Sequence, residues 1–86
     1  MRVFCERSPI YNNINNYLII VNDTAYAMSK FDYGNHKIVN KIGVLSKDKK
    51  FIVLGYKLID INYFTKGMKE LTHEEIPQTI KTYFGY

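Results

Sequence analysis

The sequence predicts a mainly β domain, a small five-stranded antiparallel barrel followed by a C-terminal helix. Three observations carry that prediction. Ile59-Asp60-Ile61-Asn62-Tyr63 alternates strictly between apolar and polar residues, the period of a strand with one wet face. Short apolar runs recur along the chain, each bounded by turn-forming residues. Near the end the period changes: Thr72-His73-Glu74-Glu75 has the form of a capping box, and Ile80, Tyr83 and Phe84 follow at helical spacing.

Taken in order, residues 1–16 read as an irregular leading segment, because Pro9 and the polar run Asn12-Asn13-Ile14-Asn15-Asn16 disfavour regular structure. Tyr17-Leu18-Ile19-Ile20-Val21 is a first strand, apolar enough to be buried on both faces, and Asn22-Asp23-Thr24 is a tight turn. Ala25 to Phe31 is the second strand, with Ala25, Ala27, Ser29 and Phe31 on one face and Tyr26, Met28 and Lys30 on the other. Asp32-Tyr33-Gly34-Asn35 turns the chain, Gly34 supplying a positive φ. Lys37 to Leu45 is the third strand, with Ile38, Ile42 and Val44 pointing one way, and Ser46-Lys47-Asp48-Lys49-Lys50 is a loop. Phe51-Ile52-Val53-Leu54 and Ile59–Tyr63 are the fourth and fifth strands, a hairpin joined through Gly55-Tyr56-Lys57. Pro77 clashes with a helix running on from Thr72, so a single turn at 72–75 precedes a helix that begins with Pro77 and runs to about Phe84. A meander of this kind fits an OB-fold-like barrel first and an SH3-like barrel second.

Eighty-six residues make one domain. A chain of this size buries roughly 60–65% of the surface its unfolded form exposes, so its stability is modest. No apolar run approaches a membrane span and the start lacks a signal-peptide pattern, so no membrane association is expected. One cysteine forms no internal disulfide, which suits a reducing, cytoplasmic setting. Asn, Ile, Lys and Tyr are heavily used while Arg is scarce, which points to an AT-rich genome, such as those of viruses, phages and several bacterial lineages.

The positive charge is local. From His36 to Leu58 six lysines face one acid, Asp48, giving +5, while the other residues carry six bases against seven acids, giving −1. Such a region either steers an acidic partner or nucleic acid, or keeps exposed strands from aggregating.

Catalytic chemistry finds no constellation here. Nothing ties His36 or His73 to Cys5, which reads as a small packed hydrophobe. The histidines and the cysteine have no metal-ligand spacing, and Glu74-Glu75 serve a helix start. The five glycines form no phosphate loop. Neither enzyme activity nor a cofactor or metal is expected.

Phe4-Cys5 followed by Pro9, then Phe31-Asp32-Tyr33, then Ile59-Asp60-Ile61-Asn62-Tyr63 resemble, in order and partly in spacing, the poxvirus pseudosubstrate inhibitors of the double-stranded-RNA-activated protein kinase. Those proteins copy the OB-fold domain of the alpha subunit of translation initiation factor 2. The resemblance implies a protein of the host-cell cytoplasm that docks on the kinase domain where the substrate docks and leaves translation running. The family's docking strand reads Lys-Gly-Tyr-Ile-Asp followed by Val-Asn-Tyr. Ile59, Asp60, Asn62 and Tyr63 match it and Ile61 replaces Val; Tyr56, Lys57 and Leu58 stand in place of Lys, Gly and Tyr. The family's helical insert between its third and fourth strands is replaced by Ser46–Lys50. The implied partner-binding residues are Tyr56, Lys57, Asp60, Asn62 and Tyr63.

Two other readings compete. A single-stranded nucleic-acid-binding OB module would stack bases on Tyr26 and Tyr56 and hold phosphates with Lys41, Lys49 and Lys50. A phage or plasmid inhibitor of a host defence protein would use the same sheet face. Oligomeric state stays open, since an uncovered strand Lys37–Leu45 can pair with another copy. So does the C-terminal Tyr83-Phe84-Gly85-Tyr86, which either caps the barrel or anchors a partner.

Overall fold

A computed structural model describes residues 1–33 and 37–86. Gly34 and His36, singled out above, lie outside the described residues. Among the described residues seven strands form one antiparallel sheet: β1 (Arg2–Arg7), β2 (Ile14–Val21), β3 (Thr24–Phe31), β4 (Lys37–Leu45), β5 (Phe51–Leu54), β6 (Lys57–Asp60) and β7 (Lys69–Glu70). Helix α1 (Ile61–Phe64) follows β6, and α2 (Gln78–Tyr83) lies near the C-terminus. The strand order is β6-β5-β4-β3-β2-β1-β7, a meander extended at one edge by β7. The sheet is strongly curled into a half-barrel.

The five-stranded count is therefore corrected to seven. Residues 1–16 are largely regular: β1 pairs with β2 from Arg2↔Ile20 to Arg7↔Asn15, and β2 begins at Ile14. Pro9, Asn12 and Asn13 occupy the connection between them, while Asn15 and Asn16 belong to β2 and pair with Arg7 and Glu6. Ser8 organises that connection, its Oγ accepting from the N–H groups of Ile10 and Tyr11 at 3.3 and 3.1 Å. The turn after β2 is a two-residue hairpin, with Asn22 and Asp23 both at positive φ (49° and 62°). That conformation matches the twist of the flanking strands and favours Asn and Asp.

The sheet uses both of its faces. On the outer face Val3, Tyr17, Ile19, Val21 and Met28 pack beneath Ile76 and Ile80 from the C-terminal segment, with Phe84 against them. On the inner face Phe4, Leu18, Ile20 and Ala25 pack with Ile52 of β5 and Ile61 of α1. Phe4 and Ile52 belong to strands separated by three others, so they share a cluster only because the sheet bends around it. As expected, Tyr17 to Val21 are buried throughout.

A bulge in β4 helps the sheet bend. The register passes from Ala25↔Gly43 to Tyr26↔Lys41, leaving Ile42 as the additional residue. Ile42 joins the inner cluster, and Val44 turns outward, 47% exposed. The expectation that Ile38, Ile42 and Val44 share a face fails for this reason. Gly43 sits where a Cβ would run into the Val53 carbonyl oxygen, so the close approach of β5 requires glycine.

The C-terminal segment departs slightly from expectation. α2 starts at Gln78, with Pro77 as the extended residue before it (φ −56°, ψ 140°). At 72–75 half of the capping box forms: the Glu75 carboxylate accepts from the Thr72 N–H at 3.0 Å. The Glu75 N–H donates to the Thr72 carbonyl, also at 3.0 Å, rather than to its hydroxyl.

Candidate docking surface

The β5–β6 hairpin and α1 present the residues that the resemblance singled out. Gly55, at φ 59°, makes the turn that leaves Tyr56 fully in solvent. β6 pairs with β5 from Leu54↔Lys57 to Phe51↔Asp60, so Lys57 and Ile59 share the inner row with Leu54 and Ile52. Leu58 and Asp60 share the outer row with Val53 and Phe51.

The strand stops at Asp60, which corrects the reading of Ile59–Tyr63 as one continuous strand. The Asp60 backbone is still extended (φ −66°, ψ 119°), but its side chain caps α1. Oδ1 accepts from the N–H of Asn62 at 2.9 Å and of Tyr63 at 3.2 Å. An aspartate at this position satisfies donors that a helix start leaves unpaired. The Ile61 N–H donates to the Lys50 carbonyl at 3.0 Å, fixing the helix to the start of β5. Ile61 then buries against the inner core while Asn62 and Tyr63 swing outward, Tyr63 79% exposed. Tyr63 thus leaves the face it was expected to share with Ile59 and Ile61. Tyr56, Lys57, Asp60, Asn62 and Tyr63 are nevertheless all exposed on one short segment.

An apolar row adjoins them that the sequence did not reveal. Val44, Val53 and Leu58 are cross-strand neighbours on the outer face, with Val44 47% and Leu58 63% exposed. The signal was hidden because the bulge at Ile42 breaks the alternation that put Val44 on one face with Ile38 and Ile42.

The residues proposed for nucleic acid fare differently. Tyr26 is half-buried and its ring packs 4.9 Å from that of Phe84, just past α2, so the C-terminal segment covers the ring that was to be a stacking platform. Lys41 stands opposite Tyr26 on β4 and is exposed. Lys49 reaches Asp23 at 3.4 Å, and Lys50 is exposed.

Elsewhere the polar chemistry ties the sheet together. The Arg7 guanidinium engages the Asp32 carboxylate through both Nη atoms, reaches Asn15 Oδ1 at 3.2 Å and donates to the Asn12 carbonyl. Hydrogen bonding from Arg7 lowers the Asp32 carboxyl below its ordinary range. Asp32, part of the quoted Phe31-Asp32-Tyr33 stretch, thus anchors β1 and the connection after it. Arg2 grips Glu70 with two hydrogen bonds of 3.0 Å, clamping β1 to β7. Cys5 packs against the outer core, and burial pushes its thiol up, opposite to an activated nucleophile. Among the described residues no group of three or more His, Cys, Asp or Glu is placed to hold a metal ion. Among the described residues, likewise, no helix is long and apolar enough to cross a membrane. Compared with known protein families, curated proteins and solved structures, the chain matches none of them.

Proposed function

We propose that the chain is a non-catalytic viral decoy that docks on the host double-stranded-RNA-activated protein kinase and keeps it from phosphorylating the alpha subunit of translation initiation factor 2. One observation carries the reading: Tyr56, Lys57, Asp60, Asn62 and Tyr63 lie exposed on a single short segment beside the apolar row of Val44, Val53 and Leu58. Two exposed tyrosines next to apolar side chains and one carboxylate are the materials of a protein-binding hot spot. In this reading the half-barrel stands in for the OB barrel of the mimicked substrate. Asp60 has two duties. Its Oδ1 holds α1 in place, which aims Asn62 and Tyr63, and its Oδ2 faces the kinase.

Binding of the whole chain to the purified kinase domain tests the proposal. Tyr56→Ala and Tyr63→Ala should each weaken it by about 1–3 kcal/mol. Asp60→Asn keeps an oxygen for the cap and removes the charge, so weaker binding with an unchanged fold assigns the charge to docking. A chain that does not bind the kinase overturns the proposal. Tight binding of a single-stranded oligonucleotide that collapses between low and physiological salt would favour the nucleic-acid reading in its place.

A further inference from the structure

We propose that the inner face of the half-barrel, beside the C-terminal end of β1, binds an alkylammonium group, the head of a small amine or of a lysine side chain. The site is a cavity of about 330 Å³ lined by Glu6, Asn16, Ser29, Ala27, Phe64 and Met68 among others. Register builds its polar floor. Glu6 pairs with Asn16 and Asn16 with Ser29, so their side chains stand in a row across β1, β2 and β3 on one face. Phe64 of α1 and Met68 of the turn before β7 supply apolar walls.

The hydrogen bonding fixes what this row accepts. The Ser29 hydroxyl donates to Asn16 Oδ1 at 2.9 Å, which commits its proton and leaves its lone pairs free. Glu6 is half-buried, and its carboxylate has neither an ion pair nor a hydrogen bond among the described residues. Its neighbour Arg7 is the obvious cation, but alternation places it on the opposite face, where Asp32 and Asn15 hold it. The Asn16 amide brings N–H donors but no charge, so a half-buried carboxylate beside the free Ser29 lone pairs, with no cation paired to it among the described residues, favours a ligand that brings positive charge and several N–H donors. An ammonium brings three. The Phe64 ring and the Met68 thioether complement a short hydrocarbon stem, and an aromatic face also attracts a cation. The site shares no residue with the proposed kinase-docking segment.

Amide NMR titration of the full chain with n-butylammonium chloride tests the proposal, with n-pentanol as the neutral analogue. Saturable shifts centred on residues 6, 16, 29, 64 and 68 are expected, with pentanol at least roughly tenfold weaker. Glu6→Gln should lose roughly tenfold in affinity with unchanged circular dichroism, and Phe64→Leu should lose less. A second arm uses Nα-acetyl-lysine methylamide. If it binds as well as butylammonium, the occupant is a protein lysine; if only the free amine binds, the occupant is a small amine. Absence of saturable shifts, equal binding of pentanol, or full affinity in a folded Glu6→Gln chain overturns the proposal.

Discussion

The two faces of the sheet are closed by different means. The inner face is closed by the sheet itself: curling brings Ile52 and Ile61 over Phe4, Leu18 and Ile20. The outer face is closed by a separate piece of chain, with Ile76, Ile80 and Phe84 lying across Val3, Ile19 and Met28. The inner core thus depends on strand register and on the bulge at Ile42, while the outer core depends on docking of a six-residue helix. A helix that short has little stability alone and owes its form to the apolar surface it covers.

The sharpest way to break this comparison is to hollow each core in turn. Ile52 and Ile80 are both fully buried, and each truncation to Ala should cost about 2–5 kcal/mol in chemical denaturation. The two should differ in reach. Hydrogen exchange in Ile80→Ala should rise chiefly in the C-terminal segment, while in Ile52→Ala it should rise across β4, β5 and β6. Identical exchange patterns would mean that the faces form one cooperative unit. A smaller effect, about 1–3 kcal/mol, is expected for Gly43→Ala, whose methyl group must push the Val53 carbonyl away and loosen the curl. A neutral result there would show that the sheet bends without the close approach at Gly43. Smallest of all is the clasp feeding the outer face. Glu75 is held down to about 2, first by Lys69 at 2.6 Å and then by the Thr72 N–H. Its folded value lies below its ordinary one of 4.5, so its contribution is complete above about 4.5 and fades as pH falls toward about 2. Glu75→Gln should flatten that part of the stability–pH profile, and because the pair is exposed the change should be slight.

Legibility in the sequence follows the same division. β2, β3, β4 and β5 were readable because their apolar runs end at recognisable turns, and Asn22-Asp23 names its own turn type. β1 was not, because Val3, Phe4 and Cys5 serve both faces in succession and show no alternation, while Pro9 drew attention to the loop. β7 has two residues and exists only through its pairing with Phe4 and Cys5, which no local pattern encodes. At the candidate docking surface, exposure was legible and geometry was not. Ile59-Asp60-Ile61-Asn62-Tyr63 fits a strand by period, but Asp60 is also a strong helix cap, and the local bonds to Asn62 and Tyr63 prevail. The Glu6, Asn16 and Ser29 row was invisible, since it requires β1 to be in place.

The strand order also sets a timetable for synthesis. From β1 to β6 each strand pairs with the one made just before it, so hairpins can close one after another as the chain leaves the ribosome. β7 breaks the sequence: it must travel back to β1, and Phe4 finds Glu70 only when most of the polypeptide exists. Until β7 and the segment carrying Ile76, Ile80 and Phe84 have emerged, one edge of β1 and the apolar patch around Val3 and Ile19 stand open to water, and the nascent chain is at its stickiest.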